Sequence, residues 1–393
     1  MKIPDHVKKI LDRLADAGFD AYVVGGSLRD SLLGTEAHDW DVASSATPDE
    51  VIALFSNEMH VIPTGLKHGT VTVVSEGNPI EITTFRTDGE YVDCRRPESV
   101  TFSTRIEDDL SRRDFTVNAM AYNDRVGLVD LFSGRDDLER RIIRCVGDPE
   151  KRFSEDALRI MRAFRFSSQL GFEIEENTLF AAHSMKNGLK NIARERIGSE
   201  FLRLLSGVAA QDSLIKMGDI LSIILPETLD TQRFSRIDEL PRDAILRLAF
   251  LLCSASEKSA RGASHSLKLS SKQSQRLMKL CTQIDEDLLK NLTESTARRI
   301  LAAYREDTLA AMEIASHLYN IDTESIKILR RVVNENPPVT LDRLAINGSD
   351  LIREGIATGR DVGTVLARLL DEVIENPERN DREILLGMAK NNE

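Results

Sequence analysis

Apolar residues return at helical spacing from the start of the chain. Val7, Ile10, Leu11 and Leu14 share one face and Gly18 stops the run, which predicts a helix over 5–17. Strand candidates follow at 21–24, 39–43, 69–75 and 79–86, the last two flanking a Glu-Gly-Asn turn, a hairpin signal. From Lys151 onward strand signals fade and helical runs dominate, among them 197–205, 243–252, 274–284, 297–304 and 364–375. Pro337-Pro338 breaks the chain before a final unit. The pattern predicts an α/β head over 1–149, then all-helical segments: a neck over 150–206, a body over 207–336 and a tail over 337–393. The sequence contains no internal repeat and no low-complexity tract.

Charge and composition narrow the function classes. A net charge of −12 over 393 residues argues against a protein that coats nucleic acid, since phosphates are held by lysine and arginine. The balance reverses locally. Lys151 to Arg165 holds five basic residues against two acidic, whereas Arg331 to Glu393 holds eight basic against twelve acidic. A local positive field suits an RNA that is bound and then released. No stretch approaches twenty apolar residues and the N-terminus lacks an apolar signal core, so no membrane span is expected. Cys94, Cys145, Cys253 and Cys281 show no CxxC spacing and read as free thiols of a reducing, cytoplasmic protein.

Two early phrases carry chemistry. Gly25-Gly26-Ser27-Leu28-Arg29-Asp30 closes the apolar run Ala21–Val24 and opens a helix; Asp39-Trp40-Asp41 follows. Alternate strand residues point to one face, so the Asp39 and Asp41 carboxylates can meet one metal ion. Mg²⁺ takes oxygen ligands and keeps waters and substrate phosphates, so two carboxylates suffice as an anchor. Glycine lets backbone approach a phosphate, and a helix N-terminus attracts anions. Gly25, Gly26 and Ser27 offer N–H groups and a hydroxyl, and Arg29 a charge-assisted contact. Together these parts point to a nucleoside triphosphate handled with Mg²⁺ by two-metal chemistry. Glu81 on the next hairpin is either a third carboxylate or an ordinary strand glutamate.

A later phrase is either a solvated helix face or a reader of bases. In Arg152–Phe166, Arg159, Arg162 and Arg165 fall at three-residue steps and Asp156 precedes Arg159 by three, which places them on one stripe of a helix. Cytosine and adenine each present an amino donor beside a ring-nitrogen acceptor. A carboxylate next to a guanidinium complements that order, while guanine and uracil set like against like. Asp156 with Arg159 can thus accept C and A without a template.

With Arg112-Arg113-Asp114-Phe115-Thr116-Val117-Asn118-Ala119-Met120 added, the motif series resembles, over essentially the full length, class II tRNA nucleotidyltransferases, the CCA-adding enzymes of the polymerase β superfamily. The resemblance implies a polymerase β type nucleotidyltransferase head on a helical neck, body and tRNA-binding tail. It implies template-independent addition of CCA to the tRNA 3′ end from CTP and ATP, with release of pyrophosphate. It assigns base reading to Asp156 and Arg159, with Glu155 orienting the arginine. Arg113 and Asp114 would contact the ribose with Asn118 assisting, and Arg162 and Arg165 would support the base and triphosphate or meet the tRNA end. Thr87–Pro97 is polar and without regular period, and reads as a mobile loop; family members that add only CC lack much of the matching loop. Sibling activities on the same fold are A addition, CC addition and poly(A) synthesis. An RNA-binding scaffold and a mononucleotide-modifying transferase are rivals from other classes. His38-Asp39 resembles an HD phosphohydrolase dyad, but no second cluster follows, which argues against phosphatase activity. The sequence does not set the oligomeric state.

Overall fold

The structure, a computed structural model, describes residues 3–390 apart from 38, 90, 93–95, 98–99, 226–228, 253–256, 283, 291 and 320. The chain forms two compact units, 1–227 with 265–268, and 228–264 with 269–393.

The first unit opens with α1 (Asp5–Asp16), whose Val7, Ile10, Leu11 and Leu14 are all buried, as the periodicity predicts. Then come β1 (Ala21–Val24), α2 (Gly25–Leu32), β2 (Asp41–Ser44), α3 (Pro48–Phe55), β3 (His60–Gly65), β4 (Thr70–Ser75) and β5 (Asn78–Thr84). β6 (Arg86–Asp88), β7 (Tyr91–Val92), β8 (Arg96–Pro97) and β9 (Val100–Phe102) form two short antiparallel pairs, β6 with β9 and β7 with β8. Within the expected loop over 87–97, residues 87–88, 91–92 and 96–97 are paired backbone. Strands of two or three residues are too short to show a period. After α4 (Ile106–Ser111), β10 (Met120–Asn123) and β11 (Gly127–Asp130) complete the sheet. β3, β10 and β11 escaped the sequence reading: β10 and β11 are only four residues long, and β3, though six residues long, is largely exposed.

The seven strands run β11-β10-β1-β2-β5-β4-β3 in a mixed sheet. β2 lies parallel to β5, with Asp41 directly opposite Glu81. Side chains alternate across a sheet. Ala43 packs with Tyr22, Val24, Phe85, Ile106 and Leu110 on the α4 side. Two residues before Ala43, Asp41 shares that side, as does Glu81, four residues before Phe85.

Beyond the sheet come α5 (Gly134–Arg140), β12 (Ile142–Ile143), α6 (Pro149–Glu155), α7 (Leu158–Leu170), β13 (Glu173–Ile174), α8 (Glu176–Ser184) and α9 (Arg194–Leu205). The helix expected through Asp156 is broken there. Asp156 is extended (φ −139°, ψ 103°) and its carboxylate accepts the Leu158 N–H at 3.0 Å. An aspartate satisfying an orphan donor at a helix start favours a new helix over continuation of the old one. Asp156 is thus outside the arginine stripe of α7.

The second unit is helical throughout its described secondary structure. Buried Arg298 donates to the carbonyls of Ile374 (2.5 Å) and Glu375 (2.7 Å), closing the C-terminal end of the helix Asp361–Glu375.

Gly134 fixes the turn Thr116–Asn118, because a Cβ at residue 134 would lie 2.2 Å from the Thr116 carbonyl oxygen. Gly134→Ala should push that turn away, lowering stability by about 1–3 kcal/mol. Thermal unfolding checks this; an unchanged melting temperature would show that the turn can shift freely.

Candidate active site

A cleft of about 740 Å³ in the first unit, within the usual range for small ligands, collects almost every residue singled out in the sequence. Gly25 and Gly26 begin α2 at one edge. Gly25 has φ +75°, a left-handed conformation that favours glycine. A Cβ there would sit 3.4 Å from Arg113 Nη1 and 3.7 Å from Asp41 Oδ2, so turn, arginine and carboxylate converge. Ser27 does not line the cleft: it is buried and its hydroxyl donates to the Val24 carbonyl at 3.3 Å.

Asp39 and Asp41 both line the cleft. Neither makes a hydrogen bond or ion pair with a described residue. Burial first, then repulsion from Glu81 and Asp39, push the Asp41 carboxyl up to about 6, although Arg113 pulls the other way. Asp41 opens to the cleft, yet protein surrounds it on its other sides. Among the described residues no group of three or more His, Cys, Asp or Glu is arranged to hold a metal. Unpartnered oxygen donors in mutual repulsion nevertheless fit a divalent cation that completes its shell with phosphates and water.

Buried carboxylates hold the arginines in place. Asp109, fully buried on α4, accepts Arg112 through one oxygen (Nε 3.0 Å, Nη2 2.5 Å) and Arg113 through the other (Nη2 2.9 Å, Nε 3.3 Å). Arg113 Nη1 also donates to the Asn118 carbonyl at 3.2 Å. Asn118 accepts Arg29 Nη1 on its side-chain oxygen at 2.8 Å and donates to Asp114 at 3.3 Å. Asp114 takes Arg162 Nε at 2.6 Å. Burial alone would raise the Asp114 carboxyl, but Arg162 and then Arg159 and Asn118 hold it below the usual carboxylate range. The Arg165, Arg162 and Arg29 guanidinium carbons lie 4.0, 5.3 and 5.3 Å from the centre of the Phe166 ring, within cation–π reach.

Asp156 and Arg159 both face the cleft; the Arg159 N–H donates to the Asp156 carbonyl at 2.9 Å, and their side chains are held by different partners. Arg159 donates to Glu155 at 2.7 Å, to the Arg152 carbonyl at 3.2 Å and to the Arg112 carbonyl at 2.9 Å. Asp109, Gln169, Arg196 and Arg203 went unnoticed in the sequence. Only Asp109 left a signal there, three and four residues before two arginines on a helical turn. Cys145 is a buried thiol, pushed up to about 12 mainly by burial, which disfavours the reactive thiolate. Cys94, Cys253 and His38 lie outside the described residues.

Comparison with known proteins places these features. Residues 21–144 match the family described as "Poly A polymerase head domain", 171–230 the one described as "Probable RNA and SrmB-binding site of polymerase A", and 242–389 the one described as "tRNA nucleotidyltransferase domain 2 putative". Head and site together define a nucleotidyltransferase. The chain is 40% identical over 391 residues to the CCA-adding enzyme of Leuconostoc mesenteroides, covering 97% of this chain and 94% of the relative. It is 38% identical to that of Ligilactobacillus salivarius, covering 99% and 97%. A crystal structure of the Bacillus stearothermophilus CCA-adding enzyme in complex with CTP superposes with a TM-score of 0.84 at 33% identity, covering 100% of this chain and 98% of that one. The chain belongs to the CCA-adding enzyme family of tRNA nucleotidyltransferases. Among the described residues no helix is long and apolar enough to cross a membrane.

Folding holds Asp114 below its unfolded value, so its pairing stabilises fully above about pH 4 and the benefit fades as pH falls through the lower folded value. Arg162→Met should cost about 1–3 kcal/mol near neutral pH, less than a fully buried pair because Arg162 is 35% open. Urea unfolding should show the gap to the parent protein shrinking in acid. A gap that stays constant with pH would mean that the contact is not ionic.

Proposed function

We propose that the protein adds C, C and A to the 3′ end of tRNA, using CTP and ATP and releasing pyrophosphate. The observation that carries this reading is the meeting, in one cleft, of a glycine turn, an unpartnered aspartate pair, fixed arginines and the Asp156–Arg159 pair. The full-length relatives bearing the CCA-adding name support it.

In this reading Gly25, Gly26 and Arg29 receive the triphosphate, with Ser27 stiffening the turn from behind. Arg113 and Asp114 meet the ribose, and Asp156 and Arg159 read the base edge. Arg162 and Arg165 hold phosphates or the RNA end. The tRNA 3′ oxygen attacks the α-phosphorus, the bond to the β-phosphate breaks, and the hydroxyl proton passes to water. Mg²⁺ held by Asp39 and Asp41 would acidify the attacking hydroxyl and offset charge on the triphosphate. Arginines already fixed by Asp109 and Asp114 need no reorganisation as charge shifts to the leaving pyrophosphate. Catalysis belongs to the head (1–149) and nucleotide reading to the neck (150–206). The body (207–336) and tail (337–393) hold tRNA through shape and phosphates, because every tRNA must be accepted. Nucleotide and tRNA substrates suit a cytoplasmic enzyme.

A tRNA lacking its last three residues should gain two nucleotides with CTP alone and three with CTP and ATP, and none with UTP or GTP. A long run of A, or A added only after an existing CC, would favour the sibling activities instead. Asp41→Asn should cut transfer by more than the roughly 10–100-fold typical of losing an outer-shell metal partner, with the fold intact by circular dichroism. Near-normal turnover in Mg²⁺ would remove the metal assignment.

A further inference from the structure

Arg159 reaches the cleft already oriented: Glu155 and two backbone carbonyls fix its guanidinium. Asp156 has a different mount. It sits in the break between α6 and α7, and one carboxylate oxygen is taken by the Leu158 N–H. The other, Oδ2, accepts Arg196 Nη2 at 3.1 Å, forty residues away on α9. Among the described residues the Arg196 guanidinium makes no other hydrogen bond, and its Nη1 is buried without a partner. Arg196 lines the same cleft.

We propose that Arg196 is a positioning residue for nucleotide selection, acting through Asp156; the proposal rests on the base-reading role given to Asp156 above. A carboxylate rejects uracil and guanine only while it is an acceptor aimed at the amino group. Turned away, it no longer opposes the carbonyl oxygen that uracil and guanine offer at that place. The Leu158 N–H fixes one oxygen alone and leaves the carboxylate free to rotate about it. A guanidinium on the second oxygen stops that rotation. Arg196 thus does for Asp156 what Glu155 does for Arg159, and the two halves of the reader are oriented independently.

The test compares the full-length protein with Arg196→Gln, which removes the charge, and Arg196→Lys, which keeps it. The readout is the ratio of kcat/KM for CTP over UTP on a tRNA lacking its 3′ CCA. Arg196→Gln should lower that ratio about tenfold, the scale of one mispaired buried polar group, and Arg196→Lys should retain most of it. In an Asp156→Ala background, Arg196→Gln should change the ratio no further, because no carboxylate remains to be oriented. Slower turnover of Arg196→Gln with undiminished discrimination overturns the proposal, as does equal loss in the glutamine and lysine variants or a further drop in the Asp156→Ala background. If Asp156→Ala itself left the preference for CTP intact, the base-reading assignment would fail first, and separately.

Discussion

Like-charged guanidinium groups repel one another, and no cleft can hold several of them close together unless something binds each in turn. Here that task falls to carboxylates set behind the cleft wall or at its edge. Asp109 takes Arg112 and Arg113, Asp114 takes Arg162, Glu155 takes Arg159, and buried Glu200 lies 3.1 Å from Arg165. Burial lowers the Arg165 guanidinium to about 10 despite Glu200, which still leaves it cationic near neutral pH. Breaking one pair strands a charge in a poorly solvated place, which is far more costly than the pair's own net contribution. The arginine array is therefore fixed before any phosphate arrives.

The scaffold delivers these groups from separate elements. One face of the mixed sheet carries Asp41 and Glu81 toward α4, and α4 brings Asp109 beneath the paired arginines. The Thr116–Asn118 turn, held close to Gly134, places Asn118 between Arg29 and Asp114. α7 supplies the arginine stripe and the Phe166 ring between three cations.

Much of this could be read in the chain because its chemistry is local. The glycine pair, the Asp39–Asp41 spacing and the Arg159–Arg165 stripe lie within a few residues, and periodicity located α1 and most long helices within a few residues. What could not be read depended on distant partners. Nothing near Arg196 in sequence points to Asp156, and the buried hydroxyl of Ser27 is a matter of packing behind α2. The helix break at Asp156 was missed because the apolar pattern runs on across it, while the competing bond from its side chain to the Leu158 N–H shows only in three dimensions. Short strands such as β10 carry too few residues for alternation to stand out.

Eight arginines and four aspartates line the cleft wall, and Asp109, Glu155 and Glu200 behind it leave only a small positive surplus. That surplus is shared between whatever anions enter. A triphosphate that arrives first neutralises part of it and leaves a weaker pull on the RNA backbone, and RNA does the same to the nucleotide. Electrostatically the two substrates are thus antagonists, each loosening the other's hold through a common field, and such coupling is reciprocal. Loss of pyrophosphate restores the attraction for the next nucleotide, while the lengthened RNA end is never held by the full surplus once that nucleotide enters.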